Sequence, residues 1–232
     1  MMRIIGWNCN MAFKNKAEII LRFNPDILVV SECEKIGEQT SNFLWFGDNI
    51  NKGLGIFSYF NYTIELHELY NDQFKYVVPI KVKGPFNFNL FAVWTKQVDD
   101  KSKEYVGQLN LALDYYEKIL NEPTIIIGDF NMDKKIEIKY KYKDPARITS
   151  LWTFLKKKNI ESTYHQYFDE ELGGETKPTL FQWRKLAKPF HNDYCFASNN
   201  FIDKLSEVFV GEYVNWKIYS DHMPIIVTFK DN

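Results

Sequence analysis

Short runs of apolar residues recur along the chain, and each has the length and the Ile, Val, Phe or Tyr content of a buried strand. The predicted strands are residues 3–9, 27–31, 54–60, 76–82, 88–94, 124–127, 193–197 and 224–229. Other segments carry apolar residues at helical spacing, which predicts helices over 15–23, 103–120 and 146–158. The first two helical patterns stop at Asn24-Pro25 and Glu122-Pro123, where proline cannot continue a helix.

The order of these elements predicts a layered α/β protein. Residues 54–94 contain strands that follow one another as in hairpins, whereas strand-helix-strand units occur elsewhere. This mixture favours a four-layered α/β sandwich, in which two packed mixed sheets are flanked by helices. No linker or internal repeat divides residues 1–232, so we expect one domain. Residues 164–189 form a long irregular stretch, and such segments are usually functional or mobile.

The composition is that of an ordinary globular protein. With 45% hydrophobic and 25% charged residues, the chain cannot be disordered, collagen-like or a coiled coil. The formal net charge is −1, so an anionic partner would have to meet a local basic surface.

Cysteine spacing and the N-terminal residues indicate the cellular compartment. Cys9, Cys33 and Cys195 are far apart and lack the spacing of a zinc site or a disulfide framework, so we expect buried thiols. The N-terminal residues do not resemble a signal peptide, and no run approaches the ~18 apolar residues of a membrane span. The default expectation is a soluble, cytoplasmic monomer without membrane contact.

Polar residues at strand ends carry the strongest indication of chemistry, because a strand buried on both faces tolerates them mainly where it emerges at a site. They are Asn8 and Asn10 after the first strand, Glu32 after the second, Asp129 and Asn131 in TIIIGDFN, and Asp221 and His222 before the last. Any one of them alone is more often a turn or helix-cap residue. If the strands are neighbours, however, these side chains converge.

Such a cluster predicts metal-assisted attack on a phosphate. Carboxylate and amide oxygens suit Mg²⁺ or Mn²⁺, and the charge of His222 can change near neutral pH. A metal ion would neutralise charge on the phosphoryl oxygens, amide N–H groups would orient the phosphate, and a carboxylate would deprotonate a water.

The ordered motifs WNCN, SE, GDFN, HNDYCFAS and SDHMPI resemble those of the endonuclease/exonuclease/phosphatase superfamily, which includes exonuclease III, abasic-site endonucleases and deoxyribonuclease I. The resemblance extends over residues 4–229. GDFN and SDH are short enough to occur by chance, but five motifs in the family's order, each at a predicted strand end, are specific. The resemblance implies a deoxyribonuclease I-like fold and a metal-dependent hydrolase of phosphoester bonds.

The resemblance also implies which residues would hold the metal. Glu32 would be the principal ligand of Mg²⁺ or Mn²⁺, helped by Asn8 or Asn10. Asp221 would lie beside the metal, either as a ligand or just behind one.

The remaining matched residues would act on the phosphate and the water. Asp129 would activate the attacking water, while Asn131 and Asn8 would hold the phosphate. His222 would contact the scissile phosphate, and Asp193 would accept its other ring N–H and so fix its tautomer.

One position departs from the family's pattern. Where relatives end a strand with a His or Tyr that touches the phosphate, this sequence has AVWTK, which places Lys96 there, two residues after Trp94. Lys96 could supply positive charge to a phosphoryl oxygen as a mobile point charge. A solvated loop lysine is an equally good interpretation.

Two segments favour a nucleic-acid substrate. Residues 134–158 contain nine basic residues against two acidic ones, and Lys134 and Lys135 directly follow the GDFN motif, where they could meet backbone phosphates. Many such runs are only solvated helix faces. Residues 177–185 interleave aromatic with basic residues, and Phe181, Trp183 and Arg184 could stack on a base and hold the backbone. Phe181 and Trp183 could equally be the core face of a strand.

The substrate hypotheses are ordered accordingly. A nucleic-acid phosphodiesterase, on DNA in preference to RNA, comes first. A phosphatase or phosphodiesterase acting on a small phosphorylated solute or a lipid headgroup is the alternative, because it needs only a local basic rim. A non-catalytic binding module comes last, since Glu32, Asp129, Asn131, Asp193 and His222 are all in place.

Overall fold

The computed structural model describes residues 1–100 and 103–231. The strands in these residues are β1 (Met2–Asn8), β2 (Ile27–Cys33), β3 (Phe43–Asn49), β4 (Lys52–Ser58), β5 (Thr63–Leu66), β6 (Val77–Lys83), β7 (Phe88–Trp94), β8 (Thr124–Asp129), β9 (Ile160–Ser162), β10 (Leu180–Phe181), β11 (Pro189–Phe190), β12 (Asp193–Ser198), β13 (Leu205–Val210) and β14 (Ile225–Phe229). The helices are α1 (Ala17–Leu21), α2 (Val106–Tyr115), α3 (Lys134–Tyr140), α4 (Ile148–Lys157), α5 (Thr163–Phe168), α6 (Asn199–Ile202) and α7 (Tyr213–Trp216).

The strands form two six-stranded sheets, with orders β13-β14-β1-β2-β4-β3 and β5-β6-β7-β8-β12-β9. In each sheet one pair is parallel, β1 with β2 and β7 with β8, and the other pairs are antiparallel. Strands β10 and β11 form a separate small ribbon. The predicted α/β sandwich of two mixed sheets with flanking helices is therefore confirmed.

Two apolar clusters account for the layers. The larger one includes facing residues of both sheets, among them Ile4 of β1 and Ile127 of β8, and so fills the space between the sheets. The smaller one joins the other face of the second sheet to α2 and α4, for example through Leu109 and Leu151. A strand that is covered on both faces must be apolar at successive positions, which explains the continuous runs in β7 and β8.

All eight predicted strands are present, and the 88–94 prediction matches β7 at both ends. The predicted helices over 15–23, 103–120 and 146–158 are also present, but α1, α2 and α4 are shorter than predicted. The pattern missed β3, β5 and β13, which carry exposed polar residues, and the very short strands β9, β10 and β11. Residues 164–189, expected to be irregular, contain most of α5 and all of β10, and irregular backbone makes up the larger part of the segment. In the described ranges, no helix has the length and apolar character needed to cross a membrane.

Candidate active site

The polar strand ends meet at one end of the sandwich. Asn8 ends β1, Asp129 ends β8, and Asp193 opens β12 directly opposite Asp129 in the register of the two strands. Glu32 lies near the end of β2, and His222 precedes β14. Because β1 and β8 belong to different sheets, the site is built from both of them.

Asn8 lies at the centre of this arrangement and is 3% exposed. Its amide Nδ2 donates to Oδ2 of Asp129 at 2.9 Å and lies 3.4 Å from Oε1 of Glu32. Its Oδ1 accepts the backbone N–H of Asn10, and its carbonyl accepts the hydroxyl of Ser220 at 2.7 Å. One side chain therefore links the two carboxylates.

A tight turn after β8 fixes Asp129. The backbone N–H and the Nδ2 of Asn131 each lie 2.9 Å from an oxygen of Asp129, and Nδ2 also donates to the carbonyl of Thr95. Gly128 has φ +145°, and a Cβ there would lie 1.9 Å from the carbonyl oxygen of Val93. Only glycine fits this position, so β8 can pair closely with β7 and deliver Asp129 to the site.

His222 is held by Asp193. Nδ1 of His222 lies 2.8 Å from Oδ2 of Asp193, and Nε2 lies 4.0 Å from Oδ2 of Asp129. Burial alone would lower the pKa of His222, but the carboxylates of Asp193 and Asp129 raise it well above the usual value. Burial raises the pKa of Asp129, against the opposing effect of the nearby His222. The imidazole is thus charged and oriented at neutral pH, with Nε2 directed towards Asp129.

Glu32 reaches the site through a bulge. The register between β2 and β4 shifts between Ser31 and Cys33, and Glu32 between them has φ +60°. Such a conformation is uncommon for a residue other than glycine and marks a position that the surrounding fold imposes. The Glu32 side chain remains 20% exposed, and its Oε2 lies 3.1 Å from Nζ of Lys52.

Asn10 and Asp221 pair with each other at the rim of the site, with Nδ2 of Asn10 2.8 Å from Oδ1 of Asp221. Asn10 begins a run of three residues, 10–12, that all have positive φ. Lys16 holds this run by donating to the carbonyl oxygens of residues 9, 10 and 11. The predicted ligands Asn10 and Asp221 therefore lie together, and Asn8 connects them to Glu32.

A cleft of about 350 Å³ opens beside Glu32 and Asn131. Lys96 forms part of its wall, with Nζ 3.5 Å from the centre of the Tyr76 ring and 3.9 Å from that of Trp94. Burial lowers the pKa of Lys96 to about 8. The interpretation of Lys96 as a solvated loop residue is therefore wrong, because its ammonium is stacked on two aromatic rings inside the cleft. A cavity of about 420 Å³ lies elsewhere, and one of about 460 Å³ adjoins the cleft at Asp48 and Tyr76, but neither is lined by Glu32 or Asn131.

The two aromatic residues expected to form one stacking surface lie in different environments. Phe181 is 7% exposed and packs against Tyr213, with ring centres 4.6 Å apart, so it belongs to the core and is not open to a base. Trp183 is 64% exposed and has Lys188 Nζ 3.8 Å from its ring centre. Positive φ values at Trp183 and Arg184 turn the chain here, which ends the alternation expected of a strand.

The exposed loop is tied to the site. The backbone N–H of Phe181 donates to the carbonyl of Asp221 at 2.8 Å, and Leu180 forms a bridge with His222. Arg184 is exposed beside Trp183, and its carbonyl accepts the hydroxyl of Tyr213. The β10–β11 ribbon thus brings Trp183 and Arg184 next to the residues that carry His222.

The basic segment after GDFN is less available than expected. Nζ of Lys134 lies 2.7 Å from Glu137 and also contacts Thr149, so this ammonium is already neutralised. Lys134 is therefore a structural residue that joins α3 to α4, and the expectation that it binds substrate is not supported. Lys135 is exposed and stays a prediction.

The residues that the sequence patterns missed surround the cleft. Lys52 lies on the β3–β4 hairpin, and Tyr76 precedes β6, so neither follows a strand end that would have marked it. Ser220 accepts the N–H of His222 and donates to Asn8, which fixes the turn before β14. Ser220 is part of the SDH motif, but the motif alone does not indicate these two hydrogen bonds.

A cation could bind at this end of the sandwich. Among residues 1–100 and 103–231, the donor atoms of Asp129, Asp193 and His222 lie within 4.8 Å of one another and could hold a metal ion. Nδ1 of His222 is already bonded to Asp193, however, and all three residues are buried. Glu32 is more accessible and already has a cationic partner in Lys52.

Comparison with known proteins identifies the fold. No protein-family model and no curated protein matches the sequence. The 3′ phosphatase NExo from Neisseria, solved with a product DNA hairpin, is 18% identical, with a TM-score of 0.70 over 99% of this chain and 100% of that chain. An AP endonuclease from Archaeoglobus fulgidus is 16% identical, with the same TM-score and coverage. AP endonuclease LMAP from Leishmania major is 13% identical, with a TM-score of 0.74 over 100% of this chain and 88% of that chain. Two six-stranded mixed sheets, flanking helices and these similarities together show that the chain has the same fold as NExo and these AP endonucleases.

Proposed function

We propose that the protein is a divalent-metal-dependent phosphodiesterase that hydrolyses nucleic acid, on DNA in preference to RNA. The observation that carries this proposal is the shared position of two oriented groups, the Asp129 carboxylate and the His222 imidazole, beside the accessible Glu32. This arrangement suits attack of water on a phosphate, since it combines a base, a cationic donor and a metal-ligating carboxylate.

Asp129 is the proposed base for the attacking water. Its carboxylate accepts hydrogen bonds from Asn8 and Asn131, which fix both oxygens before any substrate arrives. The amide groups of Asn8 and Asn131 are thereby engaged with Asp129 in this structure. The main role of Asn8 and Asn131 is to position Asp129. To contact the phosphate as well, their amide N–H groups would have to donate to both Asp129 and the phosphate.

His222 is the proposed donor to a phosphoryl oxygen. Asp193 occupies its Nδ1 and leaves Nε2 as the group that can face the substrate. A charged imidazole stabilises the extra negative charge that develops on the phosphoryl oxygens in the transition state. Asp193 contributes by holding the ring and its charge.

Glu32 is the proposed principal ligand of Mg²⁺ or Mn²⁺. The residues fit such an ion, because Glu32 is partly exposed and already attracts the Lys52 ammonium at 3.1 Å. Asn8 contacts Glu32, and Asn10 and Asp221 pair with each other next to Asn8, so further hard oxygen donors are available nearby. A bound divalent cation would supply positive charge to the phosphoryl oxygens and lower the pKa of a bound water.

The nucleic-acid substrate is supported by the exposed loop beside the site. Trp183 is 64% exposed, the ammonium groups of Lys188 and Lys185 lie over its ring at 3.8 Å and 5.6 Å, and Arg184 follows it. Stacking of a base on such a ring, with cations along the backbone, is a common way to bind a strand. NExo, whose fold is similar, was solved with a product DNA hairpin.

The test is a panel of labelled substrates: an abasic duplex, an intact duplex, a single strand, RNA, inositol phosphates and sphingomyelin. Each is incubated with Mg²⁺, Mn²⁺ or EDTA, and with the His222→Ala variant as the inactive control. Metal-dependent cleavage of an oligonucleotide supports the proposal. Hydrolysis of inositol phosphates alone would replace it with the small-solute phosphatase, and no hydrolysis of any substrate would favour a binding module.

A further inference from the structure

The ion pair between Glu32 and Lys52 occupies the side of Glu32 that faces the cleft. Oε1 of Glu32 faces Asn8, and Oε2 faces Nζ of Lys52. The pair exists because Lys52 begins β4, the strand that pairs with β2 on either side of the bulge at Glu32. The Lys52 side chain is 40% exposed, so the pair lies in partly aqueous surroundings, where such contacts are weak and readily exchanged.

A second ammonium shares the cleft. Nζ of Lys96 is stacked on Tyr76 and Trp94, and Nζ of Lys52 lies 5.7 Å from the centre of the same Trp94 ring. Lys96 is held by these rings, whereas Lys52 has a free four-carbon stem. Asp48, the other carboxylate of the cleft, is already bonded to Lys75 and to the hydroxyl of Tyr76. The cleft therefore holds two ammonium groups, those of Lys52 and Lys96. Glu32 is the carboxylate for which a further cation could compete with Lys52.

We propose that Lys52 exchanges partners, pairing with Glu32 in the metal-free protein and turning to a phosphate oxygen beside Lys96 when a divalent cation occupies Glu32. This inference rests on the proposed function, since it requires Glu32 to be the metal ligand. A divalent cation and the Lys52 ammonium repel each other and cannot both remain close to Oε2. Rotation of the Lys52 side chain keeps its ammonium in the cleft, where a phosphate oxygen replaces Glu32 as its negatively charged partner.

Partner exchange has two consequences that a fixed surface lysine would not produce. Lys52 competes with the metal, so its removal should tighten metal binding. Lys52 also becomes available to phosphate only after the metal binds, so the metal should increase phosphate affinity through Lys52. Because such coupling is reciprocal, phosphate should increase metal affinity by the same factor.

The experiment measures Mn²⁺ binding by electron paramagnetic resonance and inorganic phosphate binding by calorimetry, with and without Mn²⁺. The proteins are wild type, Lys52→Met, Glu32→Gln and Lys83→Met. Lys83 is the matched control, because it pairs with Glu65 at 2.8 Å on the β5–β6 hairpin and lines no part of the cleft.

The expected result is that Lys52→Met binds Mn²⁺ about two- to five-fold more tightly than wild type, as loss of one partly exposed ion pair implies. Mn²⁺ should increase phosphate affinity in wild type and in Lys83→Met, and this increase should be smaller in Lys52→Met. Phosphate affinity without Mn²⁺ should be the same in wild type and Lys52→Met.

Other results would contradict either the partner exchange or the assignment of the metal to Glu32. Unchanged Mn²⁺ affinity in Lys52→Met, or an undiminished effect of Mn²⁺ on its phosphate binding, contradicts partner exchange while leaving the metal site intact. Equal Mn²⁺ binding by wild type and Glu32→Gln contradicts the assignment of the metal to Glu32, and with it both the proposed function as written and the exchange.

Discussion

Nδ2 of Asn8 lies 2.9 Å from Oδ2 of Asp129, and this hydrogen bond joins the two sheets at the candidate active site. Asn8 ends a strand of one sheet and Asp129 ends a strand of the other. The position of the proposed base thus depends on how the sheets pack, and the asparagine transmits that packing to the carboxylate.

The variant Asn8→Ala should lower kcat by about 10²–10³, the usual effect of removing a preorganised donor at a reacting centre. It should also lower the free energy of unfolding by about 1–3 kcal/mol, because the buried Asp129 carboxylate loses one of its hydrogen-bond donors and keeps only those of Asn131. Asn89→Ala is the matched control. Asn89 is a buried asparagine of β7 that donates to Glu122 at 2.9 Å, and it lies at the end of the strand away from Trp94 and the site. The control should lose stability and keep its kcat. Equal kcat values in the two variants would show that Asn8 has no role beyond packing.

Asp193→Asn should lower both kcat and the pKa of His222. The carboxylate of Asp193 is the largest upward influence on that pKa, so its loss leaves the smaller influence of Asp129 to oppose burial, which lowers it. In hydrolases, loss of the orienting carboxylate lowers kcat by about 10⁴. The pKa is read by NMR titration of the imidazole and kcat by steady-state assay. An unchanged His222 titration would exclude Asp193 as its orienting partner.

Substitution of Trp183 should weaken substrate binding, whereas substitution of Phe181 should lower stability. Trp183→Ala should weaken oligonucleotide binding by about five- to 150-fold, the range for one base stacked on an aromatic ring, with a nearly unchanged Tm. Phe181→Ala should lower the free energy of unfolding by about 3–5 kcal/mol, because its ring is packed against Tyr213 in the core. Oligonucleotide titration and thermal melts of both variants decide the matter. A large fall in Tm for Trp183→Ala with normal binding would contradict the proposed surface.

Buried His191 should make the fold sensitive to acid. Burial lowers its pKa to about 4, compared with ~6.5 for an exposed histidine, so the unfolded chain binds the proton more readily than the folded one. The contribution of His191 to stability is complete above pH ~6.5 and falls by about 3 kcal/mol as the pH drops towards 4. Denaturant unfolding across this range should show that slope in wild type and a flatter one in His191→Gln. The same dependence of unfolding free energy on pH in wild type and His191→Gln would show that His191 is not the cause of the acid sensitivity.

Much of the fold follows from local patterns. Residues in β7 and β8 are apolar at consecutive positions because both faces of those strands are covered, and the run is visible without any structure. β9 is short and carries Glu161 and Ser162, so a search for apolar runs does not find it. Packing against β12 makes it a strand, and that is not a local property.

The candidate site could be predicted in part for the same reason. Asn8, Glu32 and Asp129 each follow an apolar run, and the end of such a run is visible in the sequence. Lys52 has no comparable signal, because the bulge in β2 and the β2–β4 pairing place it against Glu32. Phe181 and Trp183 have the alternating spacing of one strand face, but the positive φ of Trp183 turns its side chain into solvent.

The most direct test of the central claim is cleavage of a labelled abasic duplex oligonucleotide by wild type and by Glu32→Gln, in Mg²⁺ and in EDTA. The glutamine keeps the size of the side chain and removes the charge that would bind the cation. The proposed function predicts cleavage by wild type in Mg²⁺, none in EDTA, and slow cleavage by the variant that rises only at higher Mg²⁺ concentration. Undiminished wild-type cleavage in EDTA, or equal rates for both proteins at low Mg²⁺, would contradict a metal-dependent nuclease built on Glu32.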